Sequence, residues 1–254
     1  MARRPPERDV APTVQKLRVR YAKRGRLRFA SHRDFQRAFE RALRRAGVPM
    51  AYSAGFSPHP KVSYAGAAAT GAASEAEYLE IGVTARLDPD AVCVALDAAL
   101  PPGLDVVEVV EAGPGSLADR LEASQWQIEL PDVEPGAANR AVVAFLDADE
   151  VIVERLTKSG IRSFDARSAV VRLAVEEPTP SSPSPGCAIL RLVVRHVTPA
   201  VRPDDVLAAL HTVVGLTPPT PPRVTRLAQG PLTDATVTDP LVTDRTSDAD
   251  AVGR

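Results

Sequence analysis

The segment from Ser31 to Gly47 restricts the fold more than any other part of the sequence. Apolar residues recur there at helical spacing and form one stripe, made of Phe35, Ala38, Phe39, Ala42, Leu43 and Ala46. Ser31 is a suitable N-cap, Asp34 follows at the position of a capping box, and Gly47 suits a helix end. The pattern predicts an amphipathic helix whose apolar stripe is buried against a second layer of structure.

Strand patterns lie on both sides of this helix. Residues 15–29 alternate apolar and basic side chains, which predicts two short strands joined by a tight turn at Arg24-Gly25. The remaining predicted elements are strands near 61–69, 77–83 and 104–110 and a helix over 89–100. The order β-α-β-β-α-β is that of a ferredoxin-like domain, in which two helices cover one face of an antiparallel sheet.

A looser copy of this pattern follows Gly113-Pro114-Gly115. The sequence therefore predicts an α+β protein with tandem ferredoxin-like (βαββαβ) domains and antiparallel sheets. The predicted divisions are a flexible N-terminal tail (1–13), a basic ferredoxin-like domain (14–112), a second ferredoxin-like domain (116–230) and a disordered C-terminal tail (231–254). The last prediction rests on a composition rich in Thr and Asp.

The near-neutral net charge conceals a strong asymmetry along the chain. Residues 1–61 contain 16 of the 31 Lys and Arg residues but four of the 32 acidic residues. Because a basic surface concentrates polyanions, this asymmetry indicates a nucleic-acid partner for the first domain. The alternative is a solvated charged face, since the excess of Arg over Lys indicates GC-rich coding.

The predicted phosphate-binding surface begins at the glycine turn and continues along the helix. A helix N-terminus favours an anion through its free N–H groups and its dipole. Arginines then follow the polar side of the helix and suit a phosphate backbone. The candidate residues are Lys23, Arg24, Arg26, Arg28, Ser31, His32, Arg33, Arg37, Arg41 and Arg44.

The loop from Ala51 to Lys61 is a second candidate. Prolines flank His59, and loops positioned by a scaffold are common sites of function. Tyr52 or Phe56 is expected to stack on a base, as aromatic residues do in readers of single-stranded RNA. Lys61 extends the predicted anion-binding set, and a plain structural turn is the alternative.

The sequence contains no recognised catalytic motif. It lacks a P-loop, a dinucleotide-binding fingerprint, a nucleophile elbow and a zinc-protease motif. His32 and His59 are the only candidates for acid/base chemistry, should the fold bring them together. The turn at Asp165 to Arg167 is a candidate for a salt bridge or a ligand contact.

Neither a cofactor nor a metal is expected. Cys93 and Cys187 are isolated, which excludes a disulfide framework and a cysteine-only metal site. No stretch is long and apolar enough to span a bilayer, and no signal peptide is recognisable, so we expect a cytoplasmic protein.

The segment of roughly residues 15–110 resembles the radical SAM-linked proteins that carry the domain of unknown function 2344. Those proteins share a K/R-x-G-x-L-R-F-x-S-H-x-D-x-x-R segment followed by G-F-x-P-H-P-[RK]. The matching residues include Gly25, Leu27, Arg28, Phe29, Ser31, His32, Asp34, Arg37, Gly55, Phe56, Pro58, His59, Pro60 and Lys61. A weaker similarity at Asp165–Arg167 departs from the family pattern at Ala166 and Ser168.

The resemblance implies an accessory role beside a B12-binding radical SAM protein. This chain lacks the C-x-x-x-C-x-x-C that holds a [4Fe–4S] cluster, so any radical chemistry is expected on the partner. We expect a non-catalytic binding module that presents RNA, either tRNA or rRNA, to that partner. Two alternatives stay open, namely an RNA-processing or RNA-modifying enzyme that uses His32 and His59, and a protein–protein adaptor.

Overall fold

The computed structural model describes residues 11–54, 56–158, 160–176 and 186–245. The chain folds into two compact units, one formed by Met1–Arg120 with Pro240–Arg254 and the other by Leu121–Asp239. Both units combine helices with antiparallel strands, so the protein is α+β. We call them unit 1 and unit 2.

Unit 1 contains four strands and two α-helices in the predicted order. The elements are β1 (Gln15–Lys23), α1 (His32–Arg45), β2 (Val62–Ala65), β3 (Ala73–Val83), α2 (Pro89–Ala99) and β4 (Leu104–Glu111). The strands pair antiparallel in the order β4-β1-β3-β2. One face of this sheet is covered by both helices.

The core of unit 1 follows from the period of its strands and helices. Leu17, Val19 and Tyr21 alternate along β1 and are buried against the apolar stripe of α1. Tyr21 stacks on Phe35 with ring centroids 4.2 Å apart. Burying aromatic side chains of this size contributes about 2–3 kcal/mol each, which fixes α1 firmly on the sheet.

The opposite face of the sheet carries a buried charge cluster. Arg18 donates through Nη1 to both carboxylate oxygens of Asp244, at 2.8 and 2.9 Å. Arg120 donates to the same carboxylate at 2.9 Å, and the backbone N–H of Gly113 donates to it at 3.0 Å. The C-terminal residues 240–245 are therefore part of unit 1.

Unit 2 has the same order of elements with one insertion. It contains β5 (Ala123–Leu130), α3 (Pro135–Asp147), β6 (Ile152–Thr157), β7 (Gly160–Asp165), β8 (Val170–Val175), β9 (Ala188–Arg195), α4 (Pro203–Val214) and β10 (Arg223–Gly230). Its sheet has the order β10-β5-β9-β8. The inserted strands β6 and β7 form a separate hairpin. The predicted Pro/Ser loop at 178–185 falls outside the described residues.

The prediction of a disordered tail over 231–254 is wrong for the described residues 231–245. Two short strands, β11 (Leu232–Thr233) and β12 (Thr236–Val237), form a hairpin in unit 2, and Leu241 is fully buried in unit 1. The composition misleads because the Asp244 carboxylate is held by arginines that lie far away in the sequence. Residues 246–254 lie outside the described part of the chain.

The predicted return strand before Phe29 is wrong. Residues Gly25–Phe29 form a 3-10 helix instead, with Leu27 N–H donating to the carbonyl of Arg24 at 3.1 Å. Gly25 has φ 54°, which favours glycine. Residues two apart share a face in a strand but diverge in a 3-10 helix. Leu27 accordingly packs against the core while Phe29 is exposed.

Two further observations concern the N-terminal end of the chain and its helices. Of the predicted tail 1–13, only residues 11–13 are described, and they are irregular.

Among the helices that the structure describes, none has the length and apolar character needed to cross a membrane.

Candidate nucleic-acid interface

The outer side of α1 is a stripe of exposed arginines. Opposite its buried face the helix presents five of them, which we call the arginine stripe: Arg33, Arg37, Arg41, Arg44 and Arg45. Residues four apart on a helix are separated by about 6 Å along its axis, so the guanidinium groups form a continuous row. None of the five has an ion-pair partner among the described residues.

The N-terminus of α1 is already occupied by the chain itself. Ser31 and Asp34 form a capping box, in which Ser31 Oγ accepts from the backbone N–H of Asp34 at 3.2 Å. The Ser31 hydroxyl donates to the Asp34 carboxylate at 2.6 Å and lowers the pKa of that carboxyl. Because a carboxylate stands where an anion would bind, the structure gives Ser31 a capping role.

Two of the predicted phosphate contacts are engaged within unit 1. Lys23 is buried, and its Nζ donates to the carbonyl of Ala69 at 3.2 Å. Arg24 forms ion pairs with Glu75 and with Asp105, the latter at 2.8 Å. The hydrogen bond to Glu75 raises the pKa of Arg24 above its ordinary value. These contacts hold the turn after β1 in place, and they engage the Arg24 guanidinium although its side chain is 49% exposed.

Arg26 and Arg28 differ from their neighbour Arg24. Arg26 is exposed and has no ion pair within the described part of the chain. The guanidinium carbon of Arg28 lies 4.7 Å from the ring centroid of Phe29, in a cation–π contact. Arg28 Nε is buried without a hydrogen-bond partner. The sequence pattern predicts a strand at Phe29 and so does not reveal that its ring is exposed next to Arg28.

The loop between α1 and β2 is closed by its own hydrogen bonds. Ser53 N–H donates to the carbonyl of His59 at 2.9 Å, and His59 N–H donates to Ser53 Oγ at 3.1 Å. Phe56 lies between these residues and is exposed, as is Tyr52. Lys61 is exposed at the end of the loop, and its Nζ donates to a threonine hydroxyl at 3.1 Å. The described residues of the loop therefore carry two exposed aromatic rings, and hydrogen bonds join Ser53 to His59.

The structure does not bring His32 and His59 into a common site. His32 lies in the first turn of α1, where its ring contacts Tyr64 edge-on and its Nε2 is 3.0 Å from the Gln36 side chain. His59 lies in the loop before β2 and contacts Ser53 through its backbone. No contact between the two imidazoles occurs in the described structure, so the geometry assembles no acid/base pair from them.

The turn at Asp165 has a structural role. The Asp165 carboxylate accepts backbone N–H groups of Val151, Arg167 and Ser168 at 2.9 to 3.0 Å. Arg167 in turn donates to two backbone carbonyls, one of them that of Val170. These contacts tie the end of β7 to the adjacent loops and leave no open ligand position at the carboxylate.

Other polar groups of the described chain offer no additional chemistry. A cavity of about 370 Å³ is lined by Lys16, Glu80 and the segment 115–118 of unit 1, but Lys16 and Glu80 pair with each other at 2.9 Å. Burial raises the pKa of the free thiols of Cys93 and Cys187. Within the described ranges no cluster of His, Cys, Asp or Glu is arranged to hold a metal ion.

A model of the family DUF2344, described as an uncharacterized protein conserved in bacteria, matches residues 16–203. The chain belongs to this family. The match covers all of the residues that build the arginine stripe and the adjoining loop. No curated protein matches the sequence.

Two solved structures show remote similarity to the DUF2344 chain. An unknown protein from Galdieria sulphuraria has 17% identity and a TM-score of 0.24, over 84% of this chain and 98% of that one. The first two RRM domains of the yeast poly(U)-binding protein Pub1 have 10% identity and a TM-score of 0.21, over 82% and 98%. At these TM-scores neither similarity supports a fold or a function.

Proposed function

We propose that the protein is an RNA-binding module and that the arginine stripe of α1, together with Arg26, is its phosphate-binding surface. The observation that carries this proposal is the row of exposed guanidinium groups without ion-pair partners in the described structure. Neighbouring exposed arginines repel each other, salt screens this repulsion, and a bound polyanion removes it while releasing counterions. Arg24, which is paired, is excluded from this surface.

The proposal is tested by measuring RNA affinity across a salt series. We compare the full chain with a variant in which Arg33, Arg37, Arg41 and Arg44 are replaced by Gln. Log K decreases as log salt concentration increases, and each phosphate contact with a single strand adds about 0.7 to the steepness of that decrease. Loss of four contacts should therefore make the slope less steep by about 3. The measurement is filter binding of a 30-nucleotide RNA between about 50 and 300 mM salt.

A matched control is available in unit 2. Arg140, Arg162, Arg172 and Arg195 are exposed and have no ion pair in the described structure. Replacing these four by Gln changes net charge equally, and we expect it to leave the slope within about 1 of the wild-type value. Equal losses in both variants, or no RNA binding at low salt, would overturn the proposal.

The wider role that we propose is accessory. The protein holds RNA for a separate B12-dependent radical SAM protein, in the cytoplasm, and the resemblance described above supports this pairing. A pull-down with the tagged full chain, before and after nuclease treatment, tests it. Loss of the radical SAM protein after nuclease indicates an RNA bridge, retention indicates direct binding, and its absence from both samples contradicts the pairing.

We also propose that the two units are tandem ferredoxin-like domains. The strand orders β4-β1-β3-β2 and β10-β5-β9-β8 support this assignment, because each corresponds to the order 4-1-3-2 within a βαββαβ unit. The β6–β7 hairpin is then an insertion into the second domain.

A further inference from the structure

We propose that the basic surface binds an unpaired stretch of RNA and that Phe29 and Phe56 stack on its bases. This inference rests on the proposed RNA-binding function and adds the strandedness of the ligand. The observation behind it is that an exposed aromatic ring flanks α1 in sequence on each side. Phe29 is 59% exposed and Phe56 is 56% exposed.

Phe29 is held as a platform at the start of the helix. It ends the 3-10 helix two residues before the N-cap of α1. Arg28 covers one side of its ring at 4.7 Å, which fixes the ring and adds a positive charge next to it. The backbone carbonyl of Arg28 accepts from Gly71 N–H at 2.8 Å, so the segment is anchored to the chain before β3. An exposed ring with a cation on one side is a suitable stacking surface for a base.

Phe56 is presented by the loop that follows the helix. The paired hydrogen bonds between Ser53 and His59 close the loop beneath it. Tyr52, which forms a bridge with Pro60, adds a second exposed ring on the same loop. Exposed aromatic rings bury a large apolar area when a ligand covers them, and this favours a binding role.

The arginine stripe lies between the two aromatic positions in the sequence. The 14 residues of α1 span about 21 Å along the helix axis. An extended single strand of RNA that follows the arginine stripe places several phosphates against guanidinium groups, and its bases remain free to stack. A duplex satisfies the arginines equally well, but its bases are stacked on each other and do not reach the rings. The aromatic residues therefore favour an unpaired ligand.

The test compares single-stranded and double-stranded RNA of the same sequence. Fluorescence anisotropy with a labelled 15-nucleotide RNA, alone or annealed to its complement, gives both affinities for the full chain. We expect the single strand to bind at least tenfold more tightly. Phe29→Ala and Phe56→Ala should each weaken single-strand binding by about 5- to 100-fold, and duplex binding by less than twofold.

The control is Leu156→Ala, because Leu156 is 80% exposed on the hairpin of unit 2. It should leave both affinities unchanged, and circular dichroism verifies that all three variants are folded. Equal affinity for both RNAs with no effect of either Phe change overturns the inference while the proposed function stands. Absence of binding to both RNAs at low salt overturns the proposed function itself.

Discussion

Arg18 and Asp244 form a buried ion pair between residues 226 positions apart in the sequence. The side chains of both are almost fully removed from solvent, and Arg120 contacts the same carboxylate. A buried charge that loses a partner is strongly destabilising, so each member of this cluster depends on the others. The cluster fixes the C-terminal segment of unit 1 on the face of the sheet opposite to the helices.

The first prediction concerns Asp244→Asn. The substitution preserves shape but leaves the buried Arg18 with Glu80 as its remaining counter-charge, so the free energy of unfolding should fall by about 3–5 kcal/mol. Guanidinium denaturation of the full chain measures it. Arg86→Gln is the control, since Arg86 pairs with Glu111 at the surface and should cost less than about 1 kcal/mol. Equal decreases in the free energy of unfolding for Asp244→Asn and Arg86→Gln would contradict the expectation that a buried ion pair is costlier to break than an exposed one.

The second prediction separates capping from ligand binding at Ser31. Ser31→Ala removes the N-cap of α1 and should reduce stability by about 1 kcal/mol, while Ser31→Gly costs a few tenths. RNA affinity should stay within twofold of wild type, because Asp34 already occupies the helix N-terminus. Thermal unfolding and anisotropy provide the two readouts. A tenfold loss of RNA affinity in a folded Ser31→Ala variant would instead support an anion-binding site at the N-terminus of α1.

The capping box also predicts a pH dependence. The hydrogen bond from Ser31 lowers the pKa of Asp34 in the folded protein. The cap is therefore fully formed above the unfolded carboxyl pKa of about 3.9 and is lost as pH falls through the lower folded pKa. Asp34→Asn should reduce the loss of stability between about pH 5 and 2, compared with wild type in the same titration.

The third prediction contrasts two arginines that are neighbours in sequence. Arg26→Gln should weaken RNA binding by about fivefold at 0.1 M salt, as expected for one phosphate contact. Arg24→Gln should leave affinity within twofold and lower stability by up to about 1 kcal/mol, because it breaks the pairs with Glu75 and Asp105. RNA affinity and the free energy of unfolding are measured for both variants. A larger affinity loss for Arg24→Gln would contradict the assignment.

The fourth prediction concerns His196 in unit 2. Its Nδ1 lies 2.6 Å from the Leu121 carbonyl and its Nε2 lies 2.6 Å from Ser124 Oγ, so both ring nitrogens are bonded. The residue as a whole is exposed, but desolvation of its hydrogen-bonded ring lowers the pKa of His196, and the charge of Arg226 adds to the effect. The folded state thus disfavours the protonated form, and stability should decline as pH falls below the unfolded value of about 6.5.

Denaturation midpoints between pH 7.5 and 5 measure this dependence. His196→Gln should flatten it, because the titrating ring is absent. His211→Gln is the matched control, since the ring of His211 on α4 contacts the Thr217 hydroxyl and no backbone carbonyl among the described residues. A flattened profile in the His211 variant, or an unchanged one in the His196 variant, would show that another group controls the titration.

The parts of the fold that the sequence predicts are those whose signals are local. The helix α1 is confirmed at its expected place because the cap at Ser31, the apolar stripe and Gly47 all lie within 17 residues. The sequence predicts a strand where the 3-10 helix lies, because alternation of Leu27 and Phe29 over five residues does not distinguish the two. A segment that short takes its conformation from packing.

The parts that sequence reasoning missed depend on distant partners. Arg24 and Arg26 look equivalent in the sequence, and only the positions of Glu75 and Asp105, 51 and 81 residues from Arg24, make them different. The sequence likewise gives no sign that the Asp244 carboxylate has a structural role, because its partner Arg18 lies 226 residues away in β1. The pattern of a single sequence carries no information on such pairs, so charge alone does not distinguish a structural arginine from one that is free to bind a ligand.

The return of residues 240–245 to unit 1 sets an order for folding on the ribosome. Unit 2 is complete once Asp239 has been synthesised, whereas Arg18 receives its second carboxylate only with Asp244. At a translation rate of about 5–20 residues per second, roughly 10 to 45 s pass between the synthesis of Arg18 and that of Asp244. During that time the nascent chain carries an incompletely paired arginine on the exposed sheet. The last contacts of unit 1 are thus completed only after every residue of unit 2 has been synthesised.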